Sequence, residues 1–208
     1  MHPNPVFHDQ TDLANLAFAR ERAFGILAVN GAAGPLMAHV PFLIEEDATW
    51  LHLHLVRSNP IVRALKAPMA ARIAVSGADG YVSPDWYEVP DQVPTWNYVA
   101  VHLTGTLDLR PHGELRDLLD RQSAHFEDQL EPKRPWNAGK MTPEVLERMM
   151  RQIVPCRMKI ESVDGTWKLN QNKPENVRLR AADYMDAYGM GSETRLLAGL
   201  MRGADGQD

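Results

Sequence analysis

Apolar residues recur at helical spacing near the start of the chain and at strand spacing afterwards. Residues Thr11 to Arg22 are predicted to form a helix, because Leu13 and Leu16 fall on one face. Its candidate N-cap is Asp9 or Thr11. The predicted strands are Phe24 to Val29, Leu36 to Ile44, Thr49 to Val56, Ala70 to Ser76, Asn97 to Leu109 and Cys156 to Leu169. The links after the first two strands are short enough for hairpins, which predicts antiparallel pairing.

Between and after the strands, the pattern predicts inserted helices. They are a short helix from Ser58-Asn59-Pro60 to about Lys66, an amphipathic helix over His112 to Phe126, a helix from Thr142-Pro143 that ends before Pro155, and a helix beyond Pro174. Strands joined mainly by hairpins favour a closed barrel over a doubly wound sheet. We therefore predict an α+β fold, a predominantly antiparallel barrel with peripheral helices. One domain is expected over residues 1–190, followed by a partly mobile C-terminal helix or tail over residues 191–208.

Composition and charge exclude several classes of protein. The net charge is −5 and acidic and basic residues are interspersed. Direct DNA binding is therefore weakly supported, because a DNA-binding face is normally basic. The single cysteine, Cys156, lies in an apolar run, which favours a buried residue in a reducing cytoplasm. No apolar run reaches the ~20 residues that cross a bilayer, and no signal-peptide pattern is present, so a cytoplasmic protein without a membrane partner is expected.

The segment from Pro94 to Gly105 is the most informative for function. Apolar and other residues alternate along it with the period of a strand, and Gly105 marks a bulge or a close backbone approach. A second aromatic cluster, Tyr81 to Tyr87, precedes it. Flat rings and amide groups suit a planar heterocyclic ligand. The alternative is that the aromatic residues only fill the core.

Four stretches together carry a resemblance to a known family. They are Ala38-His-Val-Pro-Phe42, Tyr81-Val-Ser-Pro-Asp-Trp-Tyr87, Val93-Pro-Thr-Trp-Asn-Tyr-Val-Ala-Val-His102 and Lys168-Leu-Asn-Gln-Asn172. In this order they resemble the PaiB family, FMN-binding split-barrel proteins described as negative transcriptional regulators and related to the pyridoxamine-phosphate oxidase-like flavoproteins. Asn170 stands where the family has serine. The resemblance implies an FMN-binding split barrel.

The glycine pattern bears on how a flavin phosphate would be held. No glycine-rich turn opens a helix after the first strand, so the phosphate must be held otherwise. Arg57, Ser58 and Asn59 combine a cation, a hydroxyl and a predicted helix N-terminus, which suit an anion. An ordinary helix cap is the alternative. The resemblance favours the phosphate, because related split barrels bind it just after the third strand.

The resemblance also implies where the ribityl chain and the flavin ring lie. The candidate cofactor-binding residues on the second strand and on the strand after the aromatic segment are Met37, Ala38, His39, Val40, Trp96, Asn97, Tyr98, Val99 and Ala100. Pyridoxamine-phosphate oxidases carry an arginine and a lysine on the second strand. This chain has neither between Met37 and Phe42, so oxidation of that substrate is not expected.

Lys168 and Gln171 complete the candidate cofactor-binding set. Lys168 and Asn170 would share one strand face, and Gln171 would offer an amide at the strand exit. A lysine near the pyrimidine edge of a flavin stabilises the negative charge that develops on reduction. The alternative is an exposed strand end.

His54 is also a candidate for a hydrogen bond to the cofactor phosphate or to the barrel wall. His52 lies on the same strand face, but no Cys or Glu-x-x-His pattern accompanies the two histidines, so no metal site is predicted.

Two functions from different classes follow from this reading. The first is a regulator in which FMN occupancy or redox state alters a partner surface. The second is a small split-barrel flavoenzyme, either a flavin reductase or another FMN-dependent oxidoreductase whose substrate the sequence does not identify. The resemblance further implies a homodimer with FMN at the interface, lined in part by Trp86 to Tyr98.

Overall fold

The computed structural model describes residues 2–204. The strands are β1 (Phe24–Gly31), β2 (Gly34–Ile44), β3 (Trp50–Val56), β4 (Met69–Val82), β5 (Thr95–Leu109), β6 (Ile153–Lys168) and β7 (Met190–Ser192). The α-helices are α1 (Asp12–Arg22), α2 (Pro60–Ala64), α3 (Leu115–Glu127), α4 (Pro143–Met150), α5 (Glu175–Tyr188) and α6 (Thr194–Gly203). Short 3₁₀ turns precede several of these elements, among them Pro84–Tyr87 and His112–Glu114.

The strands form one sheet in the order β1-β2-β3-β6-β5-β4-β7. β1 also pairs with β4, so the six long strands follow one another in a cycle of pairings, as they do in a barrel. The pairs β1–β2, β2–β3 and β3–β6 are antiparallel. The predicted α+β fold, an antiparallel barrel with peripheral helices, is confirmed.

The first hairpin shows why the local sequence produces this pairing. β1 and β2 are in register from Phe24 opposite Pro41 to Gly31 opposite Gly34. Gly34 has a φ of +127°, a conformation that favours glycine. Alternate residues of β1 are buried, including Leu27 and Val29, because every second side chain faces the core.

All six predicted strands occur, but β4 and β6 differ from their predicted bounds by three residues or more, and a seventh strand was not predicted. β4 runs six residues beyond Ser76, through a segment in which Gly77 and Gly80 lie close to other side chains. Glycines weaken the strand signal, so the prediction stopped too early. β6 begins at Ile153 and includes Pro155. β7 was not predicted, because it is only three exposed residues with a glycine at its centre.

The chain forms two compact units, each with its own core. The first unit comprises Met1–Phe18, Val75–His102 and Asp164–Asp208, and the second comprises Ala19–Ala74 and Leu103–Val163. The core of the first unit includes Tyr87, Val99, Met185, Leu197 and Met201. The core of the second includes Leu27, Phe42, Leu53, Ile73 and Met158.

α6 occupies most of the predicted C-terminal segment. It packs by its apolar face, where Leu197, Ala198 and Met201 are buried. Residues 205–208 of the predicted mobile tail lie outside the described residues. The single domain over residues 1–190 stays a prediction. Over residues 2–204, every helix is too short or too polar to cross a membrane.

Candidate functional site

The predicted cofactor-binding residues fall into two groups, one in each unit. The second unit holds Met37, Ala38, His39, Val40, His54, Arg57, Ser58 and Asn59, and the first unit holds Trp96, Asn97, Tyr98, Val99, Ala100, Lys168 and Gln171. The roles of these residues in flavin binding stay predictions.

In the second unit, β2 presents an exposed face that contains an aromatic contact. Met37 is 58% exposed and His39 is exposed, whereas Val40 is buried in the core. The His39 ring stacks on Phe24, which is also exposed, with 6.3 Å between ring centroids. Alternate residues share a face of a strand, so Met37 and His39 lie on the same side. Flat and apolar groups on that side suit a planar ligand.

The segment after β3 uses some of its polar groups within the chain. The Arg57 guanidinium donates through Nε to the Arg151 carbonyl oxygen at 2.8 Å and through a terminal nitrogen to the Ile153 carbonyl oxygen at 3.3 Å. Asn59 Oδ1 accepts from the Ile61 N–H at 2.9 Å and caps α2. Ser58 is exposed. Asn59 therefore acts as a helix cap, which is the alternative that the sequence left open. The exposed guanidinium of Arg57 and the exposed hydroxyl of Ser58 fit the chemistry of a phosphate.

The two histidines of β3 face different partners. His52 Nε2 lies 2.7 Å from Glu45 Oε1. Burial lowers the pKa of His54, and a side-chain hydrogen bond with Gln122 of α3 opposes that effect. His54 therefore lies beside the peripheral helix α3, and its predicted hydrogen bond to the cofactor phosphate or to the barrel wall stays a prediction.

In the first unit, the start of β5 alternates between buried and accessible side chains. Val99 is buried in the core of that unit, whereas Tyr98 and Ala100 are half-buried. Trp96 is exposed, and its Nε1 donates to Asp79 Oδ1 at 3.3 Å. Among the aromatic residues, Tyr87 is buried in the core of the first unit, as the core-filling alternative expects, whereas Trp96 is not.

Asn97 is the most unusual residue of this strand. It is fully buried, yet neither its Oδ1 nor its Nδ2 has a hydrogen-bond partner within the described chain. A buried amide without partners costs about 1–3 kcal/mol, so such groups are normally paired with a ligand or with water. The Asn97 amide therefore has room for a further hydrogen-bond partner, and its predicted contact with the flavin stays a prediction.

The end of β6 is joined to the start of β5 by Lys168. Its Nζ donates to the Trp96 carbonyl oxygen at 2.9 Å and to Thr95 Oγ1. Burial lowers the pKa of Lys168. Asn170 lies beyond the strand end with a φ of +67°, so the expectation that it continues the strand face of Lys168 is wrong.

Gln171 stabilises the turn that follows. It is buried, its Oε1 accepts from the Leu169 N–H at 2.8 Å, and its Nε2 donates to the Trp167 carbonyl oxygen at 2.6 Å. Both ends of its amide are engaged within the chain, so its position indicates a structural role for this turn.

The first unit also contains a pocket of about 220 Å³ that the sequence did not predict. Its lining residues are His2, Asn4, Phe7, Tyr87, Val93, Thr95, Lys168, Asn170, Asn172 and Lys173. The one signal in the sequence is that Lys168 and Lys173 flank three amide residues with no acid between them. The contributions of Phe7 and Tyr87 come from distant parts of the chain and carry no local signal.

Comparison with known proteins supports the resemblance that the motifs indicated. The family model described as "Putative FMN-binding domain" matches residues 1–162. "Protease synthase and sporulation protein PAI 2" of Bacillus subtilis (strain 168) is 29% identical over 171 residues, which cover 81% of this chain and 78% of that protein. The resemblance to the PaiB family is therefore confirmed.

Solved structures support the fold. The FAD and heme binding protein from Mycobacterium smegmatis superposes with a TM-score of 0.54 at 15% identity, over 88% of this chain and 80% of that one. The flavocytochrome Anf3 from Azotobacter vinelandii gives a TM-score of 0.53 at 14% identity, over 76% and 67%. At such identities the likeness concerns the fold, a split barrel. By its match over residues 1–162, the chain belongs to the FMN-binding domain family and is a flavin-binding protein with FMN as its cofactor.

Proposed function

We propose that this protein is an FMN-binding regulator of the PaiB type, in which flavin occupancy or redox state changes a surface that a partner recognises. The observation that carries the proposal is the family match over residues 1–162 together with the ordered PaiB-like motifs. Repression of transcription through that partner is the role that the resemblance implies. Direct DNA contact is not part of the proposal, because the net charge is −5 and the basic residues are dispersed.

Within the second unit, Arg57 and Ser58 would hold the FMN phosphate. Support comes from their exposure and from the charge-assisted hydrogen bonds that a guanidinium forms with phosphate. The exposed face of β2, with Met37 and His39, would flank the flavin. The first unit is a separate candidate, in which the unpaired amide of Asn97 would hydrogen-bond to a polar edge of a flavin ring. When bound, FMN supplies electron and hydride transfer.

The proposal includes a homodimer with FMN at the interface, as the resemblance implies. Support comes from the segment Trp86 to Tyr98, in which Val89, Val93 and Trp96 are exposed apolar residues. Exposed apolar groups close together are typical of association surfaces. A location in the cytoplasm is also proposed, and the free, buried thiol of Cys156 is consistent with a reducing compartment.

A small split-barrel flavoenzyme is the second candidate. The observation in its favour is Lys168, whose pKa burial lowers and whose ammonium group has only neutral hydrogen-bond partners. A cation in such surroundings stabilises negative charge that develops during reduction. In this second proposal, Lys168 would position the flavin and stabilise its reduced form. The proposal defines no substrate.

The binding test compares FMN with riboflavin by calorimetry. The wild-type protein is expected to bind FMN more tightly than riboflavin. Ser58→Ala should weaken FMN by about tenfold or more, since a hydrogen bond to a charged group contributes about 1.5–3 kcal/mol, and should leave riboflavin nearly unchanged. Ser162→Ala, at an exposed serine of β6, is the matched control and should change neither affinity. Failure of the folded protein to bind either flavin would contradict the proposal. Equal losses of affinity for FMN and riboflavin in Ser58→Ala would place the phosphate elsewhere.

A second experiment separates the regulator from the enzyme. The FMN-loaded protein is mixed anaerobically with NADH or NADPH, and the flavin absorbance is followed. A regulator is expected to react slowly and without turnover. Rapid bleaching, with multiple turnovers after oxygen is admitted, would favour the flavoenzyme.

A further inference from the structure

The unpredicted pocket of the first unit concentrates hydrogen-bond donors and lacks acidic residues. Lys168 Nζ contacts Thr95 Oγ1 and the Trp96 carbonyl oxygen, and Lys173 Nζ contacts Gln92 Oε1. Neither lysine forms an ion pair with any residue between 2 and 204, and no lining residue is Asp or Glu. Two ammonium groups therefore enter one pocket without a counter-charge from the described chain.

The apolar part of the wall is aromatic. Lys168 Nζ lies 5.9 Å from the centroid of the Phe7 ring, and Lys173 Nζ lies 5.0 Å from the centroid of the Tyr87 ring. Ring faces attract cations but do not neutralise them. Burial and then the charge of Lys168 lower the pKa of His2, another lining residue, which agrees with a positive potential in the pocket.

Asn170 supplies the independent observation that points to a ligand. It is only 2% exposed, and its Oδ1 accepts from the Tyr87 hydroxyl at 3.3 Å. Its Nδ2 has no hydrogen-bond partner among the residues described, although Asn170 lines the pocket. A buried donor without an acceptor destabilises the folded protein, so a ligand acceptor at this position would stabilise it.

We propose that the pocket bounded by Lys168, Asn170 and Lys173 binds the oxyanion group of a small molecule, a carboxylate or a phosphate. The two lysines supply the opposite charge and Asn170 Nδ2 donates a hydrogen bond. Phe7 and Tyr87 contact the apolar atoms next to the oxyanion. The volume of about 220 Å³ admits a small organic anion.

Two sources could supply this oxyanion, and the test separates them. One is a substrate or effector distinct from the cofactor, which would bind to the FMN-loaded protein. The other is the phosphate of FMN itself, which would compete with added anions. The site does not depend on the proposed regulatory role, because its donors require only an oxyanion.

Phosphorus NMR can follow inorganic phosphate and the FMN phosphate in the same sample. Phosphate, and acetate in parallel by calorimetry, would be titrated into the FMN-free and FMN-loaded protein at constant ionic strength. Lys173→Gln removes the charge but keeps a donor for Gln92. Asn170→Gly removes the amide but accepts the positive φ. Lys159→Gln, at an exposed lysine of β6, is the control.

Phosphate or acetate is expected to bind the wild-type protein, and each pocket variant should weaken that binding by about tenfold, whereas the control should not. Binding to FMN-loaded protein, with an FMN resonance unchanged by Lys173→Gln, identifies a separate ligand. Binding to FMN-free protein only, with a shifted FMN resonance in Lys173→Gln, identifies the cofactor phosphate.

Either of two results overturns the inference. In the first, neither anion binds and the FMN resonance is the same in Lys173→Gln and wild type. In the second, the control variant binds the anion no more tightly than the pocket variants do. Circular dichroism confirms that each variant is folded. FMN binding is measured in the same samples. Anion binding without FMN binding would therefore reject the proposed function alone, and FMN binding without any anion effect would reject this pocket alone.

Discussion

Buried polar side chains in this protein differ in how completely their hydrogen bonds are satisfied. Gln171 uses both ends of its amide on backbone groups of its own turn. Asn97 and the Nδ2 of Asn170 have no partner within residues 2–204. Satisfied groups stabilise the fold, whereas unsatisfied ones reduce stability unless a ligand pairs with them. The unsatisfied amides are therefore the residues at which ligand binding should stabilise the protein most.

His54 permits a prediction about pH. Burial lowers the pKa of His54 in the folded protein from its ordinary value of 6.5. When the pH falls below 6.5, His54 therefore binds a proton more readily in the unfolded chain than in the folded protein. Stability contributed by the neutral ring is present above about pH 6.5 and is lost as the pH falls towards the folded pKa, by at most about 1.4 kcal/mol per pH unit.

The measurement is urea unfolding between about pH 7.5 and 5.5. His54→Gln is expected to flatten the dependence of the free energy of unfolding on pH. His112→Gln, at an exposed histidine, should retain the slope of the wild type. A variant at His54 with the wild-type slope would show that this histidine titrates alike in the folded and unfolded chains.

Strands β5 and β6 approach each other closely at Gly105. A Cβ atom built there would lie 1.8 Å from the carbonyl oxygen of Lys159, a backbone atom that cannot turn aside. The sequence left open a bulge or a close backbone approach, and the structure shows the close approach. Strand β5 therefore tolerates only glycine at this position without a shift of β6.

Gly105→Ala is expected to lower the free energy of unfolding by about 1–3 kcal/mol or more, because the backbone must move to relieve the overlap. Gly113→Ala is the matched control in the same unit, since a Cβ atom there would meet no atom within 4 Å. Chemical unfolding of both variants provides the comparison. Equal stabilities would mean that the two strands separate at negligible cost.

The proposed assembly into a homodimer can be tested directly. A homodimer is expected to have twice the 23.4 kDa mass of one chain in light scattering. Val93→Asp should shift the protein towards the monomer, because a charge would be buried in the proposed interface. Leu13→Asp is a close control, since Leu13 is 74% exposed and Val93 is 73% exposed, but Leu13 lies on α1, outside the segment Trp86 to Tyr98.

Monomeric wild-type protein that still binds FMN tightly would contradict the proposed interface. A dimer weakened equally by both variants would place the contact elsewhere on the molecule. If only Val93→Asp dissociates the dimer, FMN affinity measured on the same variant shows whether the cofactor depends on association.

Local patterns in the sequence predict the six long strands, the fold class and the family. Strand periodicity, short hairpin links and the order of four motifs depend on residues near one another in the chain, so they can be recognised without a structure. The burial of Cys156 follows from the same local pattern. The cofactor followed from the motifs rather than from the chemistry of single residues.

Which polar groups already have partners depends on how distant parts of the chain meet in the folded protein. Arg57 donates to carbonyl oxygens almost a hundred residues away, and the pocket joins Phe7 and Tyr87 to the segment from Lys168 to Lys173. β7 exists because Met190–Ser192 meets the distant edge of β4. The hydrogen-bond partners, the burial and the pKa of a residue depend on groups that are far apart in sequence. The packing of the whole chain brings these groups together, so no local pattern in the sequence encodes those properties.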